Sequence, residues 1–167
     1  MTETNSGAGA GQARQELFLT RVFGAPRNLV FRAWTDAQHM ARWWGPRGFT
    51  NPVCELEVRP GGLLRIDMRG PDGTVYPMKG VFHEIVEPER LVFTSTALED
   101  EDGKPLFEIL NTVSFEDYNG LTKLTLRALL VTKGFKLTPQ AAAALSGMEQ
   151  GWSESLYRLA DELDAMK

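Results

Sequence analysis

The sequence predicts an α+β domain: a curved antiparallel sheet of about seven strands wrapped around one long C-terminal helix, with two short helices after the first strand. Three observations carry this. Short stretches of alternating apolar and polar residues fill the middle of the chain. Tight-turn sequences, not helices, separate them, which argues for antiparallel pairing. Only the C-terminal segment has apolar residues at spacings of three and four over a length that could cover the sheet's dry face.

The elements follow in order. Leu17 to Phe23 alternates as a strand buried on at least one face, and Gly24-Ala25-Pro26 breaks it. Pro26 suits a helix start, where its missing N–H is not needed, and Leu29, Val30, Ala33 and Trp34 make the apolar stripe. Asp36 is placed to cap a second short helix, Ala37 to Trp44, stopped by Gly45-Pro46. Strands are then expected at Val53 to Val58, Leu64 to Arg69, Val75 to Val86, Arg90 to Ala97, Leu106 to Glu116 and Leu121 to Leu130. The turns between them include Pro60-Gly61-Gly62, Gly70-Pro71-Asp72-Gly73, Glu87-Pro88-Glu89 and Asp117-Tyr118-Asn119-Gly120. Thr138-Pro139 reads as a cap for the last helix. Leu145, Met148, Trp152, Leu156, Leu159, Leu163 and Met166 form its apolar face over about seven turns, with Glu149, Glu154, Arg158 and Asp161 on the wet side. Gly147 and Gly151 weaken that helix and point to a close approach or a bend at its start.

Composition narrows the function classes. The chain has 167 residues, 43% hydrophobic and 24% charged, the size and balance of one globular domain over 16–167. Met1 to Gln15 lacks the apolar core of a signal peptide and reads as a disordered tail. No apolar run could span a membrane, and a net charge of −4 without a basic stripe is a poor match for nucleic acid. One cysteine, Cys54, and two histidines, His39 and His83, exclude an internal disulfide, a cysteine-rich zinc site and a three-histidine metal centre. No phosphate-binding glycine loop or nucleophile elbow occurs. A cytoplasmic protein without cofactor or metal is expected, and an edge strand would offer a route to a homodimer.

Four Trp and nine Phe stand against this scarcity of catalytic groups. Trp43-Trp44 either cap the core or present one ring to a cavity mouth, since neighbours on a helix point about 100° apart. Met148 and Trp152 on the last helix, with Met68 and Met78 on strands, fill a core or line a permissive pocket. His83 sits amid apolar neighbours and reads as a structural histidine before an acid–base group. Asn111 interrupts an apolar strand, so an inward amide needs a partner, in the protein or in a ligand.

These stretches together resemble the START-like, or helix-grip, superfamily, and within it the activator of heat-shock-protein-ninety ATPase family, in its bacterial, C-terminal-domain-like branch. The resemblance rests on Ala25-Pro26, Val30 to Asp36 and Ala41-Arg42-Trp43-Trp44-Gly45-Pro46. It continues through Arg59 to Gly62, Met68 to Gly73, Tyr76 to Phe82, Ile85 to Thr94 and Met148-Glu149-Gln150-Gly151-Trp152. It implies a cavity between sheet and helix. The first expectation is non-enzymatic binding of a hydrophobic or aromatic small molecule there, lined by Trp43, Trp44, Phe49, Met68, Met78, Phe93, Asn111, Met148 and Trp152. The superfamily also includes cyclase, aromatase and hydrolase-like enzymes, for which His83, Asn111 or Tyr76 would polarise a carbonyl. The family name implies a chaperone ATPase co-regulator, an activity of a larger two-part protein whose N-terminal module this chain is expected to lack.

Overall fold

The computed structural model describes residues 16–99, 105–131, 139 and 146–167. The expected tail, most of the acidic loop after Glu99, and the expected helix start at Thr138 and Leu145 lie outside these residues. The described elements are β1 (Glu16–Phe23), α1 (Arg27–Thr35), α2 (Ala37–Trp43), β2 (Thr50–Leu56), β3 (Leu63–Arg69), β4 (Val75–Val86), β5 (Arg90–Glu99), β6 (Pro105–Tyr118), β7 (Leu121–Val131) and α3 (Met148–Met166).

The strands form one antiparallel sheet in the order β1-β7-β6-β5-β4-β3-β2. Strand β1 returns to pair with β7; every other pair is consecutive in sequence. The sheet does not close, and β1 and β2 are its edges. The β6–β7 hairpin turns at Asn119 (φ 56°) and Gly120 (φ 85°), the left-handed pair that a two-residue hairpin requires. Within β4, a Cβ on Gly80 would lie 2.0 Å from the Thr94 carbonyl oxygen, so β4 and β5 come together only around a glycine.

Alternation decides the two faces. Leu64, Ile66, Met78, Phe93, Val113, Phe115, Leu124 and Leu126 are buried and share one core with Leu156, Leu159 and Leu163 of α3. Burial of each such side chain contributes about 1.5–3 kcal/mol, which is what holds helix to sheet. The alternation breaks within β4, where the β4–β5 register shifts between Phe82 and Glu84. Before this bulge Met78 and Phe82 point inward; after it Ile85 does. His83, next to the inward Phe82, stands exposed, with Nε2 3.2 Å from Thr94 Oγ1, rather than among apolar neighbours.

The helices differ from expectation in detail. Asp36 caps α2 as its position requires: its carboxylate accepts from Gln38 N at 2.9 Å and His39 N at 3.4 Å. The helix ends at Trp43, however, and Trp44 is extended (φ −65°, ψ 134°). The helical step between the two rings is therefore lost, and both turn inward, Trp43 being 0% and Trp44 7% exposed. Helix α3 is described over 19 residues, about five turns, with Gly147 at its N-cap. Its polar face is not wholly wet. Glu162 is buried, with His39 Nδ1 at 2.6 Å and Arg42 Nη1 at 3.4 Å from its Oε2, which ties α2 to α3.

Candidate functional site

An open recess of about 280 Å³ lies between α3 and the inner face of the sheet. One wall is the segment after α2, Trp44-Gly45-Pro46, and another is α3 through Met148, Gly151, Trp152 and Ser155. Met68 of β3 contributes, and the sheet supplies Ser95, Phe107, Ile109 and Asn111. No charged side chain is among these lining residues.

The first wall has no regular structure, so something else must hold it. Arg158 of α3 does. Its Nη1 donates to the carbonyls of Trp44, Gly45 and Pro46, each at 3.0 Å, and its Nη2 to that of Arg42 at 3.0 Å. Ser155 Oγ accepts from Gly45 N at 3.0 Å, and Glu154 Oε1 from Arg47 N at 3.0 Å. From the other side Asn51 Nδ2 donates to the carbonyls of Ala41 and Trp44. Partial burial pulls the Arg158 guanidinium below its ordinary value, the carbonyl dipoles notwithstanding. Arg158 and Glu154, expected on the wet face of the helix, thus hold the wall of the recess.

Aromatic rings line that wall and the core behind it. Trp44 meets Trp152 edge-on with centroids 5.1 Å apart, and Trp152 stacks on Trp34 at 5.9 Å and 19°. Trp43 lies beneath, its indole N–H donating to the Ala33 carbonyl at 2.9 Å.

Asn111 is the most buried polar residue of the lining, 1% exposed. Its Nδ2 donates to the Phe93 carbonyl at 3.3 Å, Ser95 Oγ at 3.0 Å and the Ile109 carbonyl at 3.5 Å. Two of these acceptors are carbonyls, which can only accept, so the amide nitrogen must face them.

Of the residues expected to form a binding site, Trp44, Met68, Asn111, Met148 and Trp152 line this recess together. Trp43, Met78 and Phe93 are buried in the core, and Phe49 packs on Tyr76 at 5.9 Å; none of these four lines it. Sequence reasoning passed over Gly45, Pro46, Ser95, Phe107, Ile109, Gly151 and Ser155. For Ser95, Phe107 and Ile109 the signal was present, since Ser95 is two residues from Phe93, and Phe107 and Ile109 alternate with Asn111. Cys54 is a packed strand residue whose thiol burial pushes up to about 11. Among the described residues no group of three or more His, Cys, Asp or Glu could hold a metal ion, and no helix is long and apolar enough to cross a membrane.

An unclosed antiparallel sheet holding one C-terminal helix, with two short helices beside the gap, defines the START-like, helix-grip class. Within it, the chain belongs to the family of Activator of Hsp90 ATPase homolog 1-like proteins, whose pattern matches residues 24–164. Among solved structures it is similar to a protein of Arthrobacter aurescens, at 26% identity and a TM-score of 0.75, covering 93% of each chain. It is also similar to a protein of Rhodobacter sphaeroides, at 26% identity and a TM-score of 0.73, covering 95% of this chain and 98% of that one. A protein of Nitrosomonas europaea, 24% identical with a TM-score of 0.73 over 90% of this chain and 95% of that one, shares the fold. No curated protein matches the chain.

Proposed function

We propose that this protein binds a hydrophobic or aromatic small molecule, without catalysing a reaction, in the recess between α3 and the sheet. The observation that carries this is the lining: indoles, thioethers, Phe107 and Ile109, with no charged side chain. An apolar ligand there would gain about 25 cal/mol for each Å² of apolar surface removed from water, and a few fixed polar groups would orient it. Proteins of this fold family commonly bind small hydrophobic ligands, which supports the same reading. Carbonyl polarisation by His83, Asn111 or Tyr76 has less support. His83 is exposed on the outer face and Tyr76 packs on Phe49, so Asn111 alone of the three lines the recess.

Native mass spectrometry of the protein purified from its own host is expected to show an apolar adduct. Titration with naphthalene is expected to give a saturable change in tryptophan emission through Trp44 and Trp152. Absence of both would refute the reading.

A further inference from the structure

The polar corner of the recess has its own chemistry. All the donor capacity of Asn111 Nδ2 goes to Phe93, Ser95 and Ile109. Its carbonyl oxygen, Oδ1, has no hydrogen-bond partner among the described residues. It is not among the described buried side-chain atoms that lack both a partner and solvent contact, which are Trp34 Nε1, Asn51 Oδ1 and Asp67 Oδ1. Asn111 is itself buried and lines the recess, and the described residues leave this acceptor to whatever occupies it. Ser95 Oγ accepts from Asn111 Nδ2, and its own hydrogen has no acceptor among the described residues. An acceptor and a donor therefore stand side by side on a largely apolar surface.

Resting on the reading of the recess as a binding site, we infer that Asn111 and Ser95 together select a neutral ligand bearing a hydroxyl group, a phenol or an alcohol on an apolar frame. A hydroxyl satisfies both groups at once: it donates to Asn111 Oδ1 and accepts from the Ser95 hydroxyl. A carboxylate cannot donate to Oδ1, and its charge would meet no cation in the lining. A pure hydrocarbon leaves both polar groups dry and unpaired. The frame is small: at an interior packing density of about 0.74, a recess of 280 Å³ holds about 200 Å³ of molecule, the size of two or three fused rings.

Three probes of one shape test this on the full chain: naphthalene, 2-naphthol and 2-naphthoate, titrated by tryptophan emission and calorimetry. Wild type is expected to prefer 2-naphthol to naphthalene by about three- to tenfold and to bind 2-naphthoate least. In Asn111→Leu the ratio of naphthol to naphthalene affinity is expected to fall to about one. Asn111→Leu also strips partners from the Phe93 and Ile109 carbonyls and could fail to fold, so Ser95→Ala gives a second reading; there the preference is expected to fall to about half. Equal affinity of wild type for naphthalene and 2-naphthol, or a preference unchanged in the variants, would overturn the hydroxyl assignment and leave apolar binding standing. Binding of none of the three would overturn the recess as a binding site and this inference with it.

Discussion

Gly151 separates the requirements of the helix from those of the recess. It is a helical residue of α3 and also lines the recess. A Cβ built there meets one atom within 4 Å, Pro46 Cγ at 3.9 Å, an ordinary contact. Alanine is thus admitted without strain and removes the conformational freedom that glycine gives the unfolded chain, about 0.5–1 kcal/mol. For a chain of this length that corresponds to a rise in Tm of about 1–4 °C. Leucine goes further. Its four carbon groups, at about 30 Å³ each, the share of a water molecule, fill on the order of 100 Å³ of the 280 Å³. Gly151→Ala is therefore expected to be the more stable protein and to bind naphthalene nearly as wild type does. Gly151→Leu is expected to keep the fold and lose naphthalene affinity by at least tenfold. Differential scanning calorimetry and titration read the two effects apart. A lower Tm for the alanine variant, or undiminished probe binding by the leucine variant, would refute the placement of Gly151 in the recess wall.

Arg158→Ala removes four charge-assisted contacts to backbone carbonyls and is expected to cost about 2–3 kcal/mol in urea unfolding, with Arg158→Lys recovering only part of it. Asp36→Ala deprives Gln38 and His39 of their cap and is expected to cost about 1 kcal/mol by the same measurement. The Cys54 thiol, raised from 9.0 to about 11, stays neutral in the folded protein while the unfolded chain ionises. Its contribution to stability is present below pH 9.0 and is lost as pH rises towards 11; Cys54→Ala is expected to remove that component from a plot of Tm against pH. At pH 8 the native thiol carries about a hundredfold less thiolate than an ordinary one, so alkylation by iodoacetamide is expected to be slower by a similar factor.

The sheet could be read from the sequence because side-chain alternation and turn chemistry are local. Val75–Val86 emerges as an unbroken strand from its residues alone. The bulge at His83 does not, because the shift depends on how β5 pairs with β4. Asn111 stood out as one amide in an apolar alternation, and two strands supply its partners. Trp44 was legible as a lining candidate, but how it turns inward beside an equally buried Trp43 was not, since that depends on α2 stopping a residue early. Arg158 and Ser155 carried no such mark. A charged or hydroxyl residue beside an apolar helical stripe reads as solvated until a neighbouring backbone brings carbonyls or an N–H to it.

The grip of Arg158 on the carbonyls after α2 also bears on when the recess comes into being. A helix of seven residues has no stability of its own in water. At one end α2 is capped by its own Asp36; at the other, its unpaired carbonyls are met by a cation from a residue made more than a hundred positions later. The wall that bears Trp44 and Pro46 is therefore complete only when the last helix is docked. Until Arg158 is in place, the chain has no finished place to hold a ligand.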